Sequence, residues 1–156
     1  MHWRRNLTRL EIGIYAAVVG VVLAVFLERV LYYMELAERT AMEVTVSNVN
    51  SAINIRRAFG MLAPRGTKDP SAPPRNPFAL AEMSPANFIG EVDLPDLANL
   101  ERGQWVFDRT RRELIYLPRL RRGLDTADPD GAIRFKLEPR GNTVSVLVPT
   151  LEYVWN

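Results

Sequence analysis

Apolar and polar positions divide the chain into stretches with different periods. Ile12–Leu27 carries no charge, and Tyr15 supplies its one polar side-chain atom. Val30, Met34, Ala37, Ala41, Val44, Ala52, Ile55, Phe59 and Leu62 then recur at spacings of three, four or a sum of these, with Asn48 interrupting. That pattern predicts one face of a helix. Glu35 and Arg39 form an i,i+4 pair in the favourable orientation on another side. Helix propensity weakens through Val44–Asn54, where β-branched residues and asparagines gather. Gly60 and Pro64 supply the stop. A continuous helix from Thr8 to Phe59 would run about 80 Å at 1.5 Å per residue, of which about a third fits in a bilayer.

The C-terminal third alternates with a period of two. Gln104–Asp108 puts Trp105 and Phe107 on one face, and Glu113–Leu117 follows across the charged turn Arg109–Arg112, which predicts a hairpin. Ala132–Glu138 aligns Ile133, Phe135 and Leu137. Thr143–Val148 aligns Val144, Val146 and Val148, with Pro139-Arg140-Gly141-Asn142 as the turn between. These four strands predict a small, half-buried antiparallel sheet covered by the distal half of the long helix, an α+β architecture. Between helix and sheet, Ala63–Pro77 holds Pro64, Pro70, Pro73, Pro74 and Pro77 and reads as an extended linker. Phe78–Met83 predicts a short helix, followed by loop through Gly103.

Charge gives the N-terminal run its meaning. About 20 apolar residues span a hydrocarbon core. Leu10–Leu27 reaches that length if Arg9 snorkels and Tyr32 and Tyr33 sit at the far interface. The run exceeds a signal-peptide h-region and leads into Phe26-Leu27-Glu28-Arg29 without a good cleavage site, so it reads as a retained anchor. Arg4, Arg5 and Arg9 precede it, which places the N-terminus in the cytoplasm and the bulk of the chain outside. The predicted boundaries are a basic leader over 1–9, a transmembrane helix over 10–33, its extramembrane continuation over 34–62, linker and loop over 63–103, and a sheet head over 104–156. The chain has no cysteine, which excludes disulfides and thiolate chemistry. Its net charge of +2 is too small to argue for a nucleic-acid partner.

A long N-terminal helix, embedded in a membrane for its first half and packed on an antiparallel sheet by its second, resembles the type IV pilin and type II secretion pseudopilin family. Leu7-Thr8-Arg9-Leu10-Glu11 stands where that family has a large apolar residue, Thr, two further positions and Glu. Gly20 falls where many pilins carry a helix-loosening glycine. Asn76-Pro77-Phe78, Pro85–Gly90, Gly103–Asp108 and Glu113–Tyr116 look like the loop and first hairpin of pseudopilin-like proteins. The resemblance implies processing between Asn6 and Leu7, methylation of Leu7, and assembly through Leu7, Thr8 and Glu11. Glu11 would face the freed amine of a neighbouring subunit and set axial register. It implies as partners other pilin-like subunits, an inner-membrane assembly platform and lipid, with the head in the periplasm. Two positions depart from the pattern: Asn6 replaces the glycine that precedes the cut, and Arg9 replaces an apolar residue. An unprocessed single-pass scaffold of an envelope or secretion machine, or a tethered periplasmic binding module, are the alternatives.

Other candidate chemistry is sparse. Asp125, Asp128 and Asp130 with Gly131 suggest half a calcium loop, but the EF-hand offsets fail at Thr126 and Leu137, and an Asp-Pro-Asp-Gly turn is the simpler reading. Arg109, Arg111, Arg112, Arg119, Arg121 and Arg122 flank a predicted strand. They read as a solvated hairpin edge, with nucleic-acid contact the lesser alternative. His2, the sole histidine, falls in the predicted leader, so no histidine acid–base pair or metal cluster is expected outside, and neither an enzyme nor a cofactor is expected.

Overall fold

The computed structural model describes residues 9–59, 76–140 and 144–155. It divides into two compact units, Met1–Ala37 and Glu38–Asn156. The linker residues 63–75, Gly60, Leu62 and the motif residues Asn6, Leu7 and Thr8 lie outside the described residues.

Helix α1 runs from Arg9 to Ala58, 50 residues without a proline. Glu11 in the first turn and Arg56 and Arg57 in the last complement its dipole. In the first unit its apolar side chains are exposed, Leu10, Val18, Val22 and Phe26 all by more than half.

The second unit holds the sheet. Among the described residues its seven strands are β1 (Phe88–Val92), β2 (Gln104–Asp108), β3 (Glu113–Leu117), β4 (Leu124–Thr126), β5 (Ile133–Arg140), β6 (Val144–Pro149) and β7 (Tyr153–Trp155). The hairpin β2–β3 pairs Trp105 with Tyr116 and Phe107 with Leu114, as the alternation predicts. The main sheet has the order β1-β2-β3-β5-β6, and β4 pairs with β7 in a second, two-stranded sheet. The expected four-stranded antiparallel sheet is thus a five-stranded mixed one, because β1 adds in parallel to β2. The stretch expected to be loop up to Gly103 contains β1 and a 3-10 turn, Leu97–Asn99. Strand β5 also continues through Pro139 and Arg140, where a turn was expected; Arg140 pairs with Val144 across residues outside the description.

One face of the sheet carries Trp105, Phe107, Leu114, Tyr116, Ile133, Phe135 and Leu147, packed with Met42, Val49 and Ile53 of α1. Helix α2 (Pro77–Ala81) adds Phe78 and Ala81; Asn76 caps it by accepting from the Phe78 N–H at 2.9 Å. Phe78 meets Trp105 edge-on with ring centroids 5.6 Å apart. The opposite face is covered too: Val106, Ile115, Leu117 and Ala132 pack with Leu97 of the 3-10 turn. The central strands are therefore buried on both sides rather than half-buried.

The helix turns a different face to the sheet from the one its apolar spacing predicts. Met42, Val49 and Ile53 are at most 2% exposed, whereas Met34, Val44, Ile55 and Phe59 are half exposed or more. The reason is that the buried face is partly polar: Glu38, Asn50 and Asn54 share it.

Candidate assembly surface

The proximal part of α1 contains a segment long and apolar enough to cross a membrane, and none of its most apolar window is buried within the described residues. Glu11 lies in the first turn and is half-buried. A Cβ placed on Gly13 or Gly20 would meet no atom within 4 Å. Both glycines lower helix propensity, yet no packing among the described residues requires them. Small residues of this kind allow a second helix to come close; Ala16, Gly20 and Ala24 repeat at four-residue spacing.

The distal part of α1 is joined to the sheet through polar side chains. The Glu38 carboxylate accepts from the Tyr116 hydroxyl at 2.8 Å and from the backbone N–H groups of Arg119 at 2.7 Å and Leu120 at 3.1 Å. Burial, then the hydrogen bond to Glu38 and its charge, raise the Tyr116 phenol well above its ordinary range, against the opposing pull of Arg119. About three turns further on, Asn50 Oδ1 accepts from the Leu147 N–H at 2.7 Å. Asn54 accepts from the Ser145 N–H at 2.9 Å and donates to the Ser145 carbonyl at 3.0 Å. These amides occupy the outer edge of β6, an edge strand whose main-chain groups would otherwise be open to another strand. Arg39 closes the joint at its other side by donating to the Trp155 carbonyl, while pairing with Glu43 at 2.9 Å.

Of the acidic residues weighed for a calcium loop, Asp128 and Asp130 meet Arg134. Asp128 is buried, accepts from the Asp130 N–H at 2.9 Å and pairs with Arg134 at 2.5 Å. Asp130 contacts the same guanidinium at 3.3 Å, and Asp125 lies exposed in β4. Burial works to lower the Arg134 pKa, but the bond and charge of Asp128, with the charges of Glu113 and Asp130, outweigh it and raise it. No group of three or more metal-ligating side chains is found among the described residues.

An open groove of about 630 Å³ runs beside the helix joint, lined by Met42, Val46, Ser47, Asn50, Phe135 and Tyr153 among others. Its hydroxyls and amides can donate and accept hydrogen bonds, and its aromatics offer apolar contact. The basic residues separate into two places. Arg109, Arg111 and Arg112 belong to the turn before β3, with Arg109 paired to Asp93 at 2.6 Å; Arg119, Arg121 and Arg122 follow β3.

Sequence reasoning missed Glu38, Asn50 and Asn54. Their signal was the i,i+4 spacing of two asparagines on a helix, which propensity counts only as weakness. No family model matches the chain, and neither a curated protein nor a solved structure matches it.

Proposed function

We propose that the chain is a pilin-like or pseudopilin subunit of a type II secretion or type IV pilus-type assembly, working by helix packing and head contacts rather than by catalysis. The observation that carries this reading is the division of α1. Its proximal segment is apolar all round, unburied and glycine-bearing, and its distal segment is fixed to a folded sheet unit. In this reading the segment anchors in an inner membrane as a single pass, with the N-terminus cytoplasmic and the head periplasmic. Packing of the apolar helix against other subunits supplies adhesion, Glu11 sets axial register, and the head selects neighbours and the assembly platform.

The resemblance at Leu7, Thr8 and Glu11 supports processing after Asn6, with Leu7 as the methylated first residue of the mature chain. Asn6 and Arg9 favour a second reading, in which the leader stays on and the chain is an unprocessed inner-membrane scaffold. N-terminal sequencing of the protein purified from membranes separates the two. A start at Leu7 supports the subunit, and an intact Met1 overturns processing and leaves the scaffold. Single cysteines at Val18 or Val25, in a chain otherwise free of cysteine, should give crosslinked dimers in the membrane. Their absence overturns lateral helix packing.

A further inference from the structure

The arginines of the second unit differ in what they touch. Arg39, Arg56, Arg109 and Arg134 each meet a carboxylate within 4.0 Å. Arg102, Arg119, Arg121 and Arg122 are all exposed, and no ion pair holds any of them among the described residues. Three of the four side chains contact carbonyl oxygens instead. Arg102 donates to Pro118 at 3.3 Å, Arg119 to Arg102 at 3.2 Å and Arg121 to Asp130 at 3.3 Å. Such bonds orient a guanidinium without neutralising it, and leave donors free in the planar fork that suits a phosphodiester.

Glu38 fixes where this cluster sits. Its carboxylate holds the N–H groups of Arg119 and Leu120, so the loop after β3 is tied to the first residue of the second unit. Glu38 follows Tyr33, the predicted interfacial residue, by five positions. The covalent chain alone limits their separation to about 18 Å at full extension. A loop bound to Glu38 is therefore kept within a short reach of the membrane surface on its own side. The other basic cluster, Arg111 and Arg112, lies at the opposite end of β3.

We propose that Arg102, Arg119, Arg121 and Arg122 form a docking site for the anionic phospholipid headgroups of the membrane that α1 spans. Headgroup phosphates supply the ion-pair partners that these guanidinium groups lack among the described residues, and the contact holds the head against the bilayer when anionic lipid is present. This rests on the membrane-anchor reading above.

The test uses the full chain reconstituted in vesicles. Ala127→Cys carries a fluorescent donor, because residue 127 adjoins the turn whose Asp130 carbonyl accepts from Arg121, and the lipid headgroups carry the acceptor. Energy transfer should be higher in vesicles with roughly one third phosphatidylglycerol than in phosphatidylcholine alone. It should fall to the phosphatidylcholine level in about 0.5 M NaCl, where screening lengths are a few ångströms. R121Q/R122Q should lose the difference, R121K/R122K should recover most of it, and R111Q/R112Q, with the same change in charge, should keep it. Carbonate-resistant flotation of every variant reads the anchor separately. Flotation with transfer indifferent to lipid charge overturns the docking site alone, as does equal loss in R111Q/R112Q. Abolition of the difference by inorganic phosphate at constant ionic strength also overturns it, since the site would then prefer the free anion. Failure to float overturns the anchor and the docking site together.

Discussion

Between Ile12 and Leu27 helix α1 offers its surroundings almost nothing but hydrocarbon, and the structure buries none of it. Between Glu38 and Asn54 the same helix commits one carboxylate and two amides to main-chain groups of the sheet unit and buries Met42, Val49 and Ile53 among its aromatics. The difference lies in what each half can expect to meet. A half that already has a fixed partner can place polar atoms accurately, because their hydrogen-bond acceptors and donors are always there. A half that, in the proposed reading, meets lipid or another helix cannot, since each unmatched polar atom in hydrocarbon would cost several kcal/mol.

That contrast breaks most sharply through core residues. Ile53→Ala should destabilise the sheet unit by about 2–5 kcal/mol, whereas Val22→Ala should leave its thermal midpoint unchanged. Circular dichroism melts of the full chain in detergent read both, and equal shifts would dissolve the distinction.

The polar joint comes next. Glu38→Ala strips the carboxylate from the Tyr116 hydroxyl and two N–H groups and should cost about 2–3 kcal/mol, by analogy with other charge-assisted bonds. Asn50→Ala or Asn54→Ala should cost about 1–3 kcal/mol each by leaving β6 main-chain groups unmet, with Asn48→Ala on the exposed side within about 0.5 kcal/mol. Hydrogen exchange gives the sharper readout. The Leu147 amide should exchange faster in the Asn50 variant and the Ser145 amide in the Asn54 variant. Unchanged protection in both would show that the amides do not guard the edge.

The smallest effect is one of pH. The Tyr116 phenol has a folded pKa raised above its unfolded value, by burial and by Glu38. Its contribution is complete below the unfolded value of about 10 and declines as pH rises toward the folded one, because the unfolded chain ionises first. Thermal midpoints measured upward from pH 9 should therefore fall more steeply in the wild type than in Tyr116→Phe. Parallel curves would remove Tyr116 from the alkaline response; Tyr153, also raised chiefly by burial, would then carry it.

Much of the sheet was legible in the alternation. β2 and β3 run over Gln104–Asp108 and Glu113–Leu117, the limits that the spacing of Trp105, Phe107, Leu114 and Tyr116 set. β1 was not legible, for two reasons visible in its residues. Gly90 sits at a φ of +117°, and the register with β2 shifts between Phe88 and Glu91. A parallel, bulged strand has no hairpin to announce it and no regular alternation to display. The helix face misled for a related reason. Spacing rewards apolar residues alone, so it followed Val44 and Ile55, while the packed face kept Glu38, Asn50 and Asn54 for main-chain partners. For the candidate site, the apolar run and Glu11 were plain in the sequence. The loop contacts of Arg119 and Leu120 were not, because they depend on a partner 81 and 82 positions away.

The asparagine pair also sets how the helix can move. Asn50 and Asn54 are separated by four helical residues, about 6.0 Å along the axis. Leu147 and Ser145, which they meet, are two strand residues apart, about 6.8 Å. The two elements therefore mesh like a rack and pinion cut to almost the same pitch. An axial pull on α1 finds no gradual slide, because any partial displacement unseats both amides at once while Val49 and Ile53 press against their sockets. The next seat lies a full tooth away, where Asn50 would come opposite Ser145. Force applied along this helix is thus passed to the sheet without slack until the joint gives way in one step.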